Sequence, residues 1–308
     1  CEKAFAEKKA SRGGNGMKMT KTLLVAAAAA ALSWGLPANA QNFPDKPIKI
    51  IMPYPAGVGP DIQMRLVAEK LKQYWGQPVV VENKPGGNGW IAVEAVKKAP
   101  ADGYTLLQTD NLQFGLQPTV FKNFPFDVAK DFATVAPLYT THYFVCVSAD
   151  SKWNSVADMM AAAQAANKAG KPLSYGSSGY ASHMHLGGIM LENGADTKMN
   201  HVPYKETPQV FVSVASGDLD WASETKNYTD FELRAWVGLF APAGTPKAVV
   251  EKINEGVKRA LAEQDVRDKM ATIGMAPWAG SAAELATAIK DDEKLFGGIA
   301  KRENIRID

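Results

Sequence analysis

Apolar and polar positions along the first hundred residues predict strands that alternate with amphipathic helices. Residues 48–52 form an apolar strand pattern, and residues 61–75 place apolar side chains at the i, i+3, i+4, i+7 spacing of a buried helix face. The same order continues with a strand at 79–82, a short helix at 90–98 and a strand at 104–109. Two successive strand–helix–strand units favour a parallel α/β sheet, whose ligands bind beyond the carboxyl ends of the strands.

The second half of the chain repeats this order. The predicted elements are strand 143–147, helix 155–167, strand 173–177, helix 184–191, strand 201–204, helix 207–215, a strand from 236, and helices 246–262 and 282–304. Each half offers a glycine- or serine-rich loop at the start of a helix. We therefore expect two α/β lobes that hold one ligand in a cleft between them and close around it.

Residues 17–40 have the pattern of a secretory signal peptide. Lysines begin the segment, an apolar stretch runs from 23 to 32, and the small residues Ala38 and Ala40 flank Asn39. We expect cleavage after Ala40, and we interpret residues 1–16 as upstream sequence or a cloning remnant. The apolar stretch is too short to span a membrane.

The predicted exported chain is slightly acidic. Residues 1–40 carry six basic and two acidic side chains, so their removal changes the net charge from +2 to −2. No basic stripe remains to suggest a nucleic-acid or membrane partner. Cys146 is the one cysteine left, and its apolar surroundings favour a small core residue over a nucleophile.

Motifs for catalysis, cofactors and metals are all incomplete. GVGPDI at 57–62 lacks the third glycine of a dinucleotide fingerprint, and Pro60 removes an amide that a pyrophosphate uses. GSSGY has Tyr180 where a nucleophile elbow needs glycine. His183 and His185 are two residues apart, which separates them on a helix. We therefore predict a protein that is not an enzyme and has no cofactor or metal.

Several motifs that occur in one order resemble a single family. They are PYPAGVGPD (53–61), VVVENKPGGNG (79–89), ADGYTLL (101–107), YGSSGYASHMHL (175–186), HVPYKE (201–206) and GLFAPAGTP (238–246). Over nearly all of residues 41–308, the chain resembles the substrate-binding proteins of tripartite tricarboxylate transporters, the Bug-type receptors. The resemblance implies a periplasmic, monomeric receptor that captures a small organic acid and delivers it to a membrane permease.

The resemblance also implies the fold. This is a two-lobed periplasmic-binding-protein (Venus flytrap) fold with a mainly parallel sheet in each lobe. Lobe 1 is expected at 41–140 plus 236–308, and lobe 2 at 141–235, with a segment near 221–235 that is shorter than the family's. The first loop departs from the family pattern as well, because Val58 replaces a glycine and Pro60 replaces a hydroxyl residue.

We predict that uncharged donors on two loops bind the carboxylate, because amides and hydroxyls can satisfy its lone pairs without a countercharge. Asp61 is expected to cap its own helix, and His185 occupies the position of the family's histidine. The predicted ligand-binding residues are Tyr54, Ala56, Gly57, Val58, Gly59, Asp61, Ser177, Ser178, Gly179, Tyr180, Ser182, His183 and Tyr204.

Three alternatives stay open at this stage. The aromatic residues near the loops allow an aromatic acid that stacks between them, and an aliphatic acid fits equally well. A receptor of this kind can also signal to a membrane partner instead of serving transport. A hydrolase using Ser177 or Ser178 is the third alternative, although no motif supplies its base or orienting acid.

Overall fold

A computed structural model describes residues 43–180, 182–204, 207–225 and 234–306. The predictions for residues 1–16 and for the signal peptide at 17–40 lie outside these described residues, as does most of the predicted shortened region. Within the described residues, no helix combines the length and apolar character that a membrane crossing requires.

The predicted alternation of strands and helices is confirmed in the first half of the chain. In order, it forms β1 (Ile48–Met52), α1 (Gly59–Trp75), β2 (Val79–Asn83), α2 (Trp90–Lys97) and β3 (Thr105–Asp110). Both β2 and β3 pair with β1 in parallel. The carboxyl ends of β1 and β3 therefore lie at one edge of the sheet, where the segment after Met52 and residues Asp110 and Asn111 meet.

The long strand β4 (Phe132–Val147) connects the two parts of the sheet. A π-helical turn (Leu112–Leu116), α3 (Gln117–Val120) and α4 (Val128–Asp131) lead into it. Along its length β4 pairs antiparallel with β8 (Arg234–Pro242) and then with β7 (Trp221–Thr225). The sequence predicted only the last five residues of this strand. Its earlier part contains Pro137, which lies at one of two register shifts in the pairing with β8.

The second part of the chain builds a smaller parallel group of strands. Its elements are α5 (Val156–Lys168), β5 (Ser174–Ser177), α6 (His183–Gly194), β6 (Asn200–Pro203) and α7 (Thr207–Ser216). β5 lies between β6 and β7 and is parallel to both. The full strand order is β2-β1-β3-β8-β4-β7-β5-β6, so the parallel groups at the two ends are joined by antiparallel β8 and β4.

The chain ends in α8 (Lys247–Ala262), α9 (Gln264–Thr272), the two-residue strand β9 (Ala276–Pro277) and α10 (Ala282–Arg302). Separate apolar clusters cover the two strand groups, one around Trp236 and Phe240 and another around Tyr175 and Trp221. A third cluster packs Leu186 and Ile189 of α6 against α10. Helix α6 is therefore fixed against the last helix of the chain, which positions its first residues at the candidate site.

Helix α10 begins with a reciprocal cap. The Ser281 hydroxyl accepts from the Glu284 backbone N–H, and the Glu284 carboxylate accepts from the Ser281 N–H. We expect Ser281→Ala to lower the free energy of unfolding by about 1 kcal/mol, because the Glu284 N–H loses the hydroxyl that accepts from it. Urea denaturation measures the change. Thr287→Ala, which removes an exposed hydroxyl from the same helix, is the control, and an equal loss there would contradict the capping role.

Candidate functional site

The loop between β1 and α1 is held in place by a hydrogen bond to the Asp61 side chain. Its carboxylate is 3% exposed and accepts a hydrogen bond from the Gly57 N–H at 2.9 Å. It also accepts from the Arg65 guanidinium at 3.0 Å and from the Asn83 amide at 2.9 Å. Burial by itself raises the pKa of Asp61, but the bonds from Arg65, Gly57 and Asn83 together hold that pKa below its usual value. Asp61 therefore stays ionised and its charge is balanced locally.

The structure corrects the expectation that Asp61 caps helix α1. The N-cap residue of α1 is Val58, which makes no side-chain cap bond, and Asp61 lies in the first turn. Its carboxylate turns back to Gly57, whose φ of +81° is accessible to glycine and strained for other residues. Asp61 thus fixes the shape of the loop. Whether it also contacts a ligand stays a prediction.

The same loop presents backbone donors. Among the described residues, none accepts a hydrogen bond from the N–H groups of Ala56, Val58 or Gly59. These groups lie at the start of a 17-residue helix, whose dipole favours negative charge there. Ala56 and Val58 are exposed. The loop is therefore ready to donate to an anion, whereas the Gly57 N–H is already bonded to Asp61.

A buried polar junction lies beside this loop, where β3 ends. The Tyr54 hydroxyl donates to Asp110 Oδ2 at 2.8 Å, and the Leu112 N–H donates to Asp110 Oδ1 at 2.9 Å. Burial raises the pKa of Asp110 to about 6, although these donors lower it. Burial, followed by the charge of Asp110, raises the pKa of Tyr54, which keeps its hydroxyl protonated.

The adjacent residue, Asn111, connects this junction to the second part of the chain. Its Oδ1 atom lies 2.9 Å from Nε2 of His183, the first residue of α6. Because a carbonyl oxygen only accepts, Nε2 carries the hydrogen. One face of the imidazole stacks on Tyr143 of β4, with ring centroids 5.1 Å apart. Burial lowers the pKa of His183 to about 3, so this imidazole is neutral at physiological pH.

The segment that joins β5 to α6, here called the serine loop, is held by hydrogen bonds within it. The fully buried Ser177 hydroxyl donates to the Gly179 carbonyl at 2.9 Å and accepts from the Gly179 N–H at 3.1 Å. It also lies 2.6 Å from Nε2 of His201. Because the hydroxyl hydrogen goes to Gly179, Nε2 of His201 donates to Ser177 in this arrangement and is not placed as its base. Nδ1 of His201 is buried with no hydrogen-bond partner, so no described acid orients the imidazole as hydrolysis requires.

The remaining predicted residues of this loop have different surroundings. Ser182 is the N-cap of α6 and accepts from the His185 N–H, while Ser178 is exposed. Tyr180 is 68% exposed, and its ring edge contacts His185 and His201. Tyr204 donates its N–H to the Ser177 carbonyl at 2.8 Å. His183 and His185 diverge as expected, because one contacts Asn111 and the other stacks on His201.

The structure thus connects the two predicted loops through residues that sequence reasoning missed. Tyr54 and His183 are joined through the neighbours Asp110 and Asn111. The signal was present in the sequence, since polar residues follow an apolar strand at the carboxyl edge of a parallel sheet. His201 was missed because its contact with Ser177 depends on the parallel pairing of β5 and β6, in which it lies opposite Tyr175.

Comparison with known families gives one match that covers most of the chain. The family described as "Tripartite tricarboxylate transporter family receptor" matches residues 63–227 and 221–305. A relative from Pseudomonas sp. (strain P51), the "UPF0065 protein in tcbD-tcbE intergenic region", is 27% identical over 286 residues. That alignment covers 81% of this chain and 84% of the relative.

Solved structures share the fold over most of the chain. A structure described as that of a periplasmic transporter is 27% identical, with a TM-score of 0.70, and the match covers 86% of this chain and 100% of the other. A protein of R. palustris with adipate is 23% identical (TM-score 0.72, covering 86% and 99%). MatC from Rhodopseudomonas palustris with bound malate is 22% identical (TM-score 0.67, covering 83% and 99%). The predicted two-lobed α/β fold is confirmed, while the lobe boundaries at 140/141 and 235/236 stay predictions.

Proposed function

Because the chain belongs to the tripartite tricarboxylate transporter receptor family, we propose that it captures a small mono- or dicarboxylic acid in the periplasm for a membrane permease. A receptor family is a family of binding proteins, so the chain is not an enzyme and the serine hydrolase alternative is set aside. Export through the signal peptide at 17–40, and delivery of the acid to a permease, are parts of this proposal.

One observation carries the choice of an acid as ligand. The N–H groups of Ala56, Val58 and Gly59 have no described acceptor, and they lie at the positive end of α1. The Asp61 carboxylate, which already accepts from the neighbouring Gly57 N–H, is held by Arg65 and Asn83. An incoming acid therefore meets donors whose hydrogen-bonding capacity is unused. The adipate and malate bound to two proteins of this fold support the same ligand chemistry.

The second side of the proposed site is the start of α6. The loop that precedes this helix contains the exposed residues Ser178 and Tyr180, and the Asn111–His183 bond holds the first residue of the helix. The His183 imidazole is neutral, so neither loop offers a full positive charge. Hydrogen bonds to a charged acceptor contribute about 1.5–3 kcal/mol each, and several of them are enough for a tight complex.

A thermal-shift screen tests this function. We expect a mono- or dicarboxylate from a panel that includes adipate, malate and benzoate to raise the melting temperature, and the rise should grow with ligand concentration. Adipamide is the matched control for adipate, because it keeps the carbon chain and loses both charges. Equal stabilisation by adipamide, or none by any acid of the panel, would contradict acid capture.

A further inference from the structure

A cavity of about 730 Å³ is lined by residues that include Tyr180 and His185 but neither His183 nor the Ala56–Gly59 loop. One wall is the α6 face that carries His185, Ile189 and Glu192, which follow one another at i, i+4 and i+7. The opposite wall is the segment after α10, residues 303–306. The volume is within the range of cavities that bind small organic molecules.

One part of the cavity lining is aromatic and uncharged. The His185 and His201 rings stack with centroids 4.1 Å apart, and Tyr180 meets both rings edge-on at 5.4 and 5.0 Å. Burial, and then the neighbouring His201, lowers the pKa of His185 to about 4, and burial also lowers the pKa of His201. Both imidazoles are therefore neutral at pH 7. Together with Ile189 and Met199 they offer a surface that suits an apolar or aromatic body.

The charged residues of the lining are paired, with one exception among the described residues. Lys198 Nζ lies 2.6 Å from Glu303 and 3.4 Å from Glu192. The Glu192 carboxylate also accepts from the Met199 N–H at 2.7 Å. Arg306 is exposed and makes no ion pair or hydrogen bond with any residue in the described ranges. The cavity lining therefore combines aromatic and apolar side chains with one cation, Arg306, that pairs with no residue in the described ranges.

We propose that this cavity is a second ligand site, which binds a small acid with an aromatic body and shares Tyr180, but not the Ala56–Gly59 loop, with the proposed acid site. The ring lies against Tyr180, Ile189 and Met199, and the acid group faces Arg306. A ligand there contacts both α6 and the segment after α10. It also contacts His201, whose Nε2 atom holds the Ser177 hydroxyl of the serine loop. Occupancy of this cavity thus stabilises one side of the first site.

Histidine resonances provide a direct test, because the chain contains only four histidines. The full chain carrying isotope-labelled histidine is titrated with phenylacetate, and the ring signals are assigned with single His→Asn variants. His185 and His201 report on the cavity, whereas His183 reports on the junction with Asn111. We expect saturable shifts of the His185 and His201 signals with a smaller shift at His183, and at least tenfold weaker binding of acetate, which lacks the ring.

Two charge reversals complete the test. Arg306→Glu should weaken phenylacetate binding at least fivefold, while Lys171→Glu, at an exposed position outside the cavity, should change it less than twofold. The proposal would be overturned if the His185 and His201 signals did not shift at tens of millimolar phenylacetate. It would also be overturned if the Arg306→Glu variant bound phenylacetate as tightly as the original protein. A shift at His183 alone would place phenylacetate in the first site, which overturns the second site and leaves the proposed function intact.

Discussion

Replacing Val58 by proline is expected to weaken binding of the acid found in the thermal screen by at least tenfold. The φ of Val58 is −83°, close to the value that a proline ring imposes, so the backbone needs little adjustment. The substitution removes one N–H group and keeps the Val58 carbonyl, which accepts from the N–H groups of Asp61 and Ile62. The lost donor is worth about 1.5–3 kcal/mol if it bonds a carboxylate. Isothermal titration calorimetry measures the change.

Val58→Ala is the matched variant, because it shortens the same exposed side chain and keeps the N–H group. Its affinity should stay within about a factor of two of the original protein. Circular dichroism and the melting temperature of both ligand-free variants show whether the loop change has affected folding. Equal affinities for the proline and alanine variants would remove the Val58 amide from the acid site, and a loss shared by both would assign the effect to the side chain.

The fold was largely predictable because most elements carry a regular apolar pattern. The helix that ends at Gly76 and the strands on either side of it were predicted to within two residues, and Gly76 has the left-handed conformation of a helix end. Helix α9 was missed because only Val266 and Met270 of its nine residues are buried. A single pair at the i, i+4 spacing in a polar segment is too weak a signal to predict a helix.

The candidate site was predictable only in part. The glycine and serine loops are visible locally, because each follows a strand and precedes a helix. The bonds that hold these loops are between residues distant in sequence, such as Asn83 with Asp61 and His201 with Ser177. Sequence alone therefore predicted Ser177 as a ligand donor, whereas its hydroxyl is already bonded to Gly179. The sequence shows which groups can donate a hydrogen bond, and the tertiary structure decides which of those groups are still without an acceptor.

Asp61→Asn is expected to give the largest loss of stability among the site variants, about 2–3 kcal/mol at pH 7. The amide that replaces one carboxylate oxygen is a donor, and it faces the donors of Arg65 and Asn83 in a site that is 3% exposed. Arg65 is half exposed, which makes the cost smaller than that of breaking a fully buried pair. Urea denaturation at several pH values measures the effect.

The pH dependence of this variant distinguishes a lost charge from a lost shape. The pKa of Asp61 is lowered in the folded protein, so its ionised form stabilises the fold above the ordinary pKa of 3.8. That contribution is lost as the pH falls from 3.8 through the folded-state pKa, and the difference between Asp61→Asn and the original protein should shrink there. Asp265→Asn, which breaks the ion pair between Lys70 and the exposed Asp265 carboxylate, should change stability much less at pH 7. If the stability difference between Asp61→Asn and the original protein stays constant down to pH 3, the Asp61 charge is not what holds the loop. In that case the Val58 N–H donor is positioned by the backbone of α1 alone.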